Sequence, residues 1–156
     1  MELSGLVRGV IDNLVPLYGD RFVLRGAEGP LEGTWNAEAL RRVVENLASN
    51  AAKYGEPDTV VTLTLEPGGG GVRLAVHNHG RPIPPREHAH LFTAFRRAGR
   101  ALESKQKGWG IGLTLSRGLV EEHGGQLTLR RSDAQGTEFV VWLPWAPPRS
   151  DVASRA

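Results

Sequence analysis

The distribution of apolar residues predicts three amphipathic helices, because apolar positions recur every three or four residues in three stretches of the chain. In the first stretch, residues 3–15, these positions are Leu3, Leu6, Val7, Val10, Ile11 and Leu14. Pro16 is expected to kink or end this helix, with Gly19 as a candidate terminus. In the second stretch, from an Asn36 cap to about Tyr54, they are Leu40, Val43, Val44, Leu47, Ala51 and Tyr54. The third ends at His123–Gly125, and its expected buried line is Ile111, Leu115 and Leu119.

Alternation of apolar and polar residues predicts strands in other parts of the chain. Two hairpins with turns at 67–71 and 132–136 are expected from the runs Thr59–Glu66, Val72–Asn78, Gln126–Arg131 and Thr137–Leu143. Nearer the N-terminus, Arg21–Arg25 and Leu31–Trp35 have β-type composition on either side of Gly26–Pro30. A further hairpin is therefore expected there.

The remaining segments lack a regular apolar pattern. A short helix is expected over Arg86–Leu91, whereas the polar and basic segment Arg97–Lys107 has the composition of a mobile flap. Prolines and small polar residues dominate the C-terminal end. We therefore expect one domain over residues 1–145 and a disordered tail over 146–156.

Composition and charge narrow the class of protein. The chain has 156 residues, of which 40% are apolar, enough for one globular domain with a sizeable core. Its 19 basic and 17 acidic residues leave a net charge of +2, so nucleic acid binding is not indicated. Without cysteine, neither a disulfide framework nor a thiolate zinc site is possible. No apolar run approaches the ~20 residues of a membrane span, so we expect a cytoplasmic domain, alone or as part of a larger sensor protein.

The stretch Lys107–Leu115 combines alternate glycines with the start of the third helix. Gly108, Gly110 and Gly112 remove the Cβ atoms from one side of the backbone, so a ligand can approach bare N–H groups. A helix that begins there adds unsatisfied N–H groups and the positive end of its dipole. These features predict a phosphate-binding loop, although a tight loop that serves only helix packing would have the same composition.

Two asparagines border the apolar stripe of the second helix. Asn46 and Asn50 are four residues apart and therefore lie on one face, with Lys53 and Tyr54 a turn further along. Amides beside a buried face cost free energy unless something binds them. They indicate a polar ligand, and the alternative is a pair of solvent-facing side chains.

Taken in order, the motifs of the chain resemble those of sensor histidine kinases over residues 2–145. The matching segments are Glu45–Tyr54 (N box), Asn78–Pro84 (first glycine box), Leu91–Arg96 (F box), Gly108–Leu113 (second glycine box) and Gly136–Phe139 (final hairpin). The resemblance implies the ATP-binding catalytic domain of such a kinase. It also implies an α+β fold, a two-layer α/β sandwich in which a mixed, mostly antiparallel sheet packs on three main helices, known as the Bergerat fold.

The same resemblance implies roles for individual residues and the cofactors ATP and Mg²⁺. Asn50 matches the asparagine that holds Mg²⁺ through its side-chain oxygen, and Asn46 would lie against the phosphates or the water shell of the metal. Lys53 would add positive charge. The implied ATP-binding residues are Asn46, Asn50, Lys53, Tyr54, Asn78, Gly80, Pro82, Ile83, Phe95, Lys105, Lys107, Gly108, Trp109, Gly110, Ile111, Gly112, Leu113 and Thr137.

Asn78 and Pro82 depart from the pattern of the family. Where this chain has Asn78, the family has an aspartate that accepts a hydrogen bond from the adenine amine. Asparagine offers both an acceptor and a donor, so we expect discrimination between ATP and GTP to be looser here. Pro82 replaces a glycine and is expected to stiffen the loop that borders the adenine.

The phosphoacceptor of the family is missing from the chain. Histidine kinases carry it on a separate helical hairpin, in a motif like His-Glu followed by Arg and Pro, and none of the five histidines has that context. The expected activity is presentation of the γ-phosphate of MgATP to a histidine on a separate dimerisation domain, so no residue here is assigned a catalytic role. The expected partners are ATP or ADP, that domain and a response regulator downstream.

Two other functions stay open at this point. One is a stand-alone serine kinase of the anti-sigma-factor type, since those proteins are also small single domains. The other is a non-catalytic ATP-sensing module, which the departures at Asn78 and Pro82 make conceivable.

Four histidines form two His-x-His pairs: His77, His79, His88 and His90. Alternate positions of a strand share a face, so a metal site is one interpretation. No carboxylate or thiol accompanies the pairs, and exposed or nucleotide-flanking histidines are expected instead.

Overall fold

The computed structural model describes residues 1–26, 28–89, 91–92 and 107–146, with the backbone alone described over 107–111. The helices are α1 (Leu3–Tyr18), α2 (Ala37–Tyr54), α3 (Pro85–His88) and α4 (Lys107–Glu122). The strands are β1 (Phe22–Arg25), β2 (Val61–Gly68), β3 (Gly71–Asn78), β4 (Gln126–Asp133) and β5 (Gly136–Pro144). None of the described helices is long and apolar enough to span a membrane.

The strands form one mixed sheet in the order β1-β2-β3-β5-β4. β1 pairs with β2 in parallel, and the other pairs are antiparallel. In this register Asn78, at the end of β3, lies between Val61 of β2 and Thr137 of β5. The mixed, mostly antiparallel sheet expected from the sequence is thereby confirmed.

Helices α1, α2 and α4 form the second layer, with α2 between the other two and in contact with β2 and β3. Apolar residues of these helices and of alternate strand positions, such as Val61, Leu63 and Leu65 on β2, form one buried core. The two-layer α/β sandwich is confirmed. Asn36 caps α2 as predicted, because its Oδ1 accepts a hydrogen bond from the Ala39 N–H at 2.8 Å.

The hairpin predicted around Gly26–Pro30 is wrong. β1 pairs with β2, and the segment Leu31–Trp35 is not a strand. Its polar groups are bonded to distant parts of the chain instead: the Trp35 Nε1–H donates to the Pro144 carbonyl at 2.7 Å. Composition of the β type shows that a segment can be extended, but the choice of partner depends on long-range contacts.

Two predicted helices also differ in detail. α1 continues through Pro16 to Tyr18, and the predicted terminus Gly19 is its C-cap. α3 ends at His88 rather than Leu91. Among the described side chains of α4, from Gly112 onward, Leu113, Ser116 and Val120 are fully buried, whereas Leu115 is 61% exposed. The expected line through Leu115 is therefore wrong. The middle position of the buried stripe is a serine, which a search for apolar residues does not count. The apolar pattern therefore indicated the neighbouring face of the helix, which contains Leu115.

Candidate functional site

The first group of polar residues lies where α2 faces α4. Asn46 and Asn50 project from α2 toward Gly112 of α4, one turn apart as their spacing predicts. A Cβ at Gly112 would be 3.7 Å from Asn46 Oδ1 and 3.8 Å from Asn50 Nδ2. We call these residues, together with Ser116, the α2–α4 cluster.

Asn46 is bonded across the helix pair. Its Nδ2 donates to Ser116 Oγ at 3.0 Å and lies 3.5 Å from the Gly112 carbonyl oxygen. Ser116 is completely buried, so this hydrogen bond satisfies a hydroxyl that would otherwise be costly in the core. The contact also joins the middle of α4 to the middle of α2.

Asn50 differs from Asn46 in its surroundings. Its side chain is 5% exposed, yet its Nδ2 makes no hydrogen bond with any residue that the structure describes. A buried amide group without a partner costs roughly 1–3 kcal/mol, and such groups in folded proteins call for an explanation. The Nδ2 group calls for an acceptor such as a phosphate oxygen. The amide oxygens of the cluster are hard ligands that suit Mg²⁺, so these side chains fit the groups that the resemblance implies.

The glycine-rich segment is helical from Lys107, whereas the sequence predicts a loop before the helix. Because the N–H groups of only the first four helical residues lack an intrahelical acceptor, Gly112, the sixth, is bonded within α4. Its contribution to the site is the absent Cβ beside the two amides. Leu113, the next residue, is fully buried in the core.

Several of the residues implied by the resemblance fall outside this description. Phe95 and Lys105 lie outside the described residues, as do most of the expected flap, His90 and the tail from residue 147. Only backbone is described for Lys107, Gly108, Trp109, Gly110 and Ile111. Lys53 is exposed on the last turn of α2.

The second group of polar residues lies where β3, β4 and β5 meet the loop that follows β3. Ser132 Oγ accepts a hydrogen bond from the Ile83 N–H at 2.7 Å and is 2.7 Å from Thr137 Oγ1. On the other side of Ile83, His88 Nε2 donates to its carbonyl oxygen at 2.8 Å. These residues and Asn78 are called the strand-end cluster. It brings together three of the predicted site residues: Asn78, Ile83 and Thr137.

Asn78 is 3% exposed, and its amide has a defined orientation. Its Nδ2 donates to the His79 carbonyl at 3.1 Å, and that carbonyl also accepts from the Glu56 N–H at 2.8 Å. One of the two N–H groups of the amide is therefore used within the protein, and its oxygen can accept a hydrogen bond from a ligand. The looser base discrimination that the sequence predicts stays a prediction, because the second N–H can still donate.

The loop after β3 packs closely on the end of α2. Gly80 has φ +143°, and a Cβ there would be 3.1 Å from the Glu56 nitrogen, so glycine is required. Beside this contact lies an open cavity of about 620 Å³ that Tyr54, Gly80 and Pro82 help to line. The structure thus collects these three predicted residues at one opening, next to the strand-end cluster.

The histidine pairs are engaged in separate contacts. His77 Nε2 lies 2.9 Å from the Gln135 carbonyl oxygen, and its ring meets that of His79 edge-to-face at 4.9 Å. Within the described residues, no group of three or more His, Asp or Glu side chains is arranged to hold a metal ion.

Sequence reasoning missed Ser116, Ser132 and His88. The signal for Ser116 was available, because a serine three residues after Leu113 and four before Val120 falls on a buried helical stripe. Ser132 lay in a predicted turn, where serine is common for local reasons. Nothing in the local sequence connects Ser132 or His88 with Ile83.

Comparisons with known proteins agree with this architecture. The sequence profile of the histidine kinase-, DNA gyrase B-, and HSP90-like ATPases matches residues 35–147. The sensor histidine kinase CusS of Escherichia coli strain K12 is 33% identical over 145 residues, which are 92% of this chain and 30% of CusS. The chain spans 14% and 30% of the two curated relatives that it matches first.

Two solved structures are similar over almost the whole chain. The catalytic domain of the histidine kinase ThkA has a TM-score of 0.80 at 23% identity, covering 96% of this chain and 97% of that one. Full-length ShkA in complex with AMPPNP has a TM-score of 0.76 at 27% identity, covering 96% of this chain and 31% of ShkA. The first likeness concerns the fold alone.

Proposed function

The chain belongs to the family of histidine kinase-, DNA gyrase B-, and HSP90-like ATPases, and we propose that it is the ATP-binding catalytic domain of a sensor histidine kinase. It presents the γ-phosphate of MgATP for transfer to a histidine on a separate phosphoacceptor domain. The observation that carries the proposal is Asn50, a buried amide that makes no hydrogen bond with the described residues and lies beside Gly112. A buried polar group of this kind is explained by a ligand.

The two clusters suit the two ends of a nucleotide. In the α2–α4 cluster, Asn46 and Asn50 supply amide groups beside Gly112, in the second turn of α4. The turn before it carries the free N–H groups and the positive end of the dipole, which favour phosphate. In the strand-end cluster, the Asn78 oxygen would accept from the adenine amine, and the loop that Ser132 holds at Ile83 would border the base.

Asn50 would hold Mg²⁺ through its oxygen, and Asn46 would lie against the phosphates or the water shell of the ion. When bound, the ion neutralises charge on the phosphate oxygens and fixes their orientation. The residues of this chain therefore orient the nucleotide, and the nucleophile comes from the phosphoacceptor domain. A response regulator acts downstream.

Titration calorimetry with ATP and ADP, with and without Mg²⁺, tests the nucleotide site. The wild-type chain is expected to bind both nucleotides, and Asn50→Ala should weaken MgATP binding by about tenfold or more and metal-free ATP less. The free energy of unfolding should not fall much, because the deleted nitrogen has no hydrogen bond to the described residues. Absence of binding at millimolar nucleotide would refute the proposal.

Incubation with labelled ATP tests whether this chain binds the nucleotide while a separate domain carries the phosphoacceptor. The chain alone should stay unlabelled, because a bound phosphoryl group still needs a nucleophile in line. Adding the matching helical hairpin should produce label on a histidine, which is lost in acid. Acid-stable label on an added protein substrate would point to the serine-kinase alternative, and acid-labile label on this chain alone would contradict the assignment of the acceptor.

A further inference from the structure

The Ser116 hydroxyl lies in a position where a polar group has to be explained. It is completely buried between Leu113 and Val120, on the face of α4 that packs against the core. A hydroxyl there costs free energy unless it is hydrogen-bonded, and Asn46 Nδ2 supplies the bond at 3.0 Å. Ser116 therefore contacts Asn46, a residue of the proposed phosphate and metal site, from the side of the buried core.

The contacts of Asn46 settle which end of its amide faces α4. A hydroxyl can donate or accept, so Ser116 alone is compatible with either orientation. The Gly112 carbonyl, 3.5 Å from Nδ2, can only accept, so both contacts require the nitrogen on that side. The oxygen is consequently turned toward the space beside the Gly112 Cα, where a Cβ would be 3.7 Å away.

Asn50 has no such constraint. Its nitrogen is without a hydrogen-bond partner among the described residues, so exchanging nitrogen and oxygen by rotation about the terminal bond loses no hydrogen bond seen there. The two asparagines of α2 thus differ: one amide is oriented in advance and the other is free to turn toward a ligand. Preorganisation of this kind reduces the conformational cost of binding.

We propose that Ser116 is a positioning residue, which orients the Asn46 amide so that its oxygen accepts hydrogen bonds from the water shell of Mg²⁺. The inference rests on the proposed function, since it names a supporting residue for the same site. Ser116 does not touch the ligand. It acts through Asn46, so its effect should disappear when Asn46 has no amide.

The test is a double-mutant cycle of Ser116→Ala and Asn46→Ala, with MgATP and metal-free ATP affinities measured by calorimetry. Ser116→Ala should weaken MgATP binding on the order of fivefold, the effect of one neutral hydrogen bond. Metal-free ATP should be affected less, and no loss should remain in the Asn46→Ala background. Ser116→Cys, of similar volume but a weaker acceptor, should show the same pattern if the alanine variant does not fold.

Ser49→Ala is the matched control. The Ser49 hydroxyl also contacts Asn46, but at its backbone carbonyl, 3.4 Å away, rather than at its amide. It should leave the dependence of ATP binding on Mg²⁺ unchanged. In NMR spectra of the nucleotide-free wild type, the Asn46 side-chain NH₂ should exchange slowly with solvent, and Ser116→Ala should remove that protection.

The outcomes separate the inference from the proposed function. If the wild type binds neither nucleotide, the proposed function fails, and protection of the Asn46 NH₂ then decides whether Ser116 orients it. If the wild type binds MgATP and Ser116→Ala or Ser116→Cys leaves the affinity unchanged, the inference is overturned alone. An equal loss with and without Mg²⁺, or a loss that persists without the Asn46 amide, overturns it as well.

Discussion

The α2–α4 cluster and the strand-end cluster differ in how completely their polar groups are bonded. In the strand-end cluster, Ile83 is bonded at both its N–H and its carbonyl, and the Asn78 amide donates to His79. In the α2–α4 cluster, Asn50 has a buried nitrogen with no partner in the part of the chain that the structure covers. One end of the site is therefore assembled in advance, and the other keeps an unsatisfied group.

The difference follows from the elements that build each end. The strand-end cluster lies on a hydrogen-bonded ladder, in which Asn78 faces both Val61 and Thr137 at fixed register. The α2–α4 cluster lies between two helices, whose backbone bonds are internal and whose separation depends on side chains such as Ser116 and on the bare Gly112. A sheet edge suits recognition of a rigid base, whereas a gap between helices suits a hydrated ion.

The largest expected effect concerns Gly112. A methyl group there makes ordinary contacts of 3.7–3.8 Å with Asn46 and Asn50, so Gly112→Ala should fold. Alanine stabilises a helix interior by about 1 kcal/mol relative to glycine, so stability should rise while MgATP affinity falls by about tenfold or more. Thermal unfolding and calorimetry on one preparation would test both.

Gly118→Ala provides the control for Gly112→Ala. Gly118 lies on the same helix, and a Cβ there would have no described atom within 4 Å. It should give the gain in stability without the loss of binding. Equal binding losses in the two variants would mean that helix rigidity, not the space beside the amides, limits the affinity.

Asn78→Asp tests whether the strand-end cluster is complete as it stands. Because the contact of Nδ2 with the His79 carbonyl leaves the Asn78 oxygen available to accept from an adenine amine, the wild type should prefer ATP to GTP. The carboxylate should change the ratio of the two affinities by less than about tenfold. The variant also places an acceptor against the His79 carbonyl and should be less stable. Competition titrations of ATP against GTP measure the ratio of the two affinities. Equal affinities in the wild type would show that the Asn78 amide can exchange the positions of its oxygen and nitrogen.

Ser132→Ala should lower nucleotide affinity through the strand-end cluster, by a smaller factor than Gly112→Ala does through the α2–α4 cluster. It removes the acceptor of the Ile83 N–H, so the loop that borders the base loses an anchor and nucleotide affinity should fall about fivefold. The loss should be the same with and without Mg²⁺, in contrast to Ser116→Ala. Thr128→Ala, at an exposed position of β4, should change neither the MgATP affinity nor the affinity for metal-free ATP. A loss that depends on Mg²⁺ would show that the two ends are not separable.

Glu2 lies outside both clusters, and Glu2→Gln should leave nucleotide binding unchanged. Hydrogen bonds from the Leu31 N–H, the Ser4 side chain and the N–H groups of Gly5 and Ser4 lower the pKa of Glu2 from 4.5 to about 2. Its carboxylate therefore stabilises the fold above about pH 4.5, and this contribution disappears as the pH falls toward 2. Urea unfolding should show a difference of about 1 kcal/mol near pH 7 that shrinks near pH 3; a constant difference would contradict the assignment.

Much of this molecule could be predicted from local sequence. The bounds of α2 follow from its apolar stripe and the Asn36 cap, and the two hairpins follow from their turns. The spacing of Asn46 and Asn50 was sufficient to place both amides on one face. These features are local because the helix period, the cap and the turn involve residues a few positions apart.

Pairings over long separations could be determined only by the tertiary structure. The partner of β1 is β2 rather than the nearby Leu31–Trp35, and the buried face of α4 runs through Ser116 rather than Leu115. Ser116 is 70 residues from Asn46 in the sequence. No local pattern encodes that contact, because a serine hydroxyl and an asparagine amide are each compatible with solvent until packing removes the water and leaves them to bond with each other.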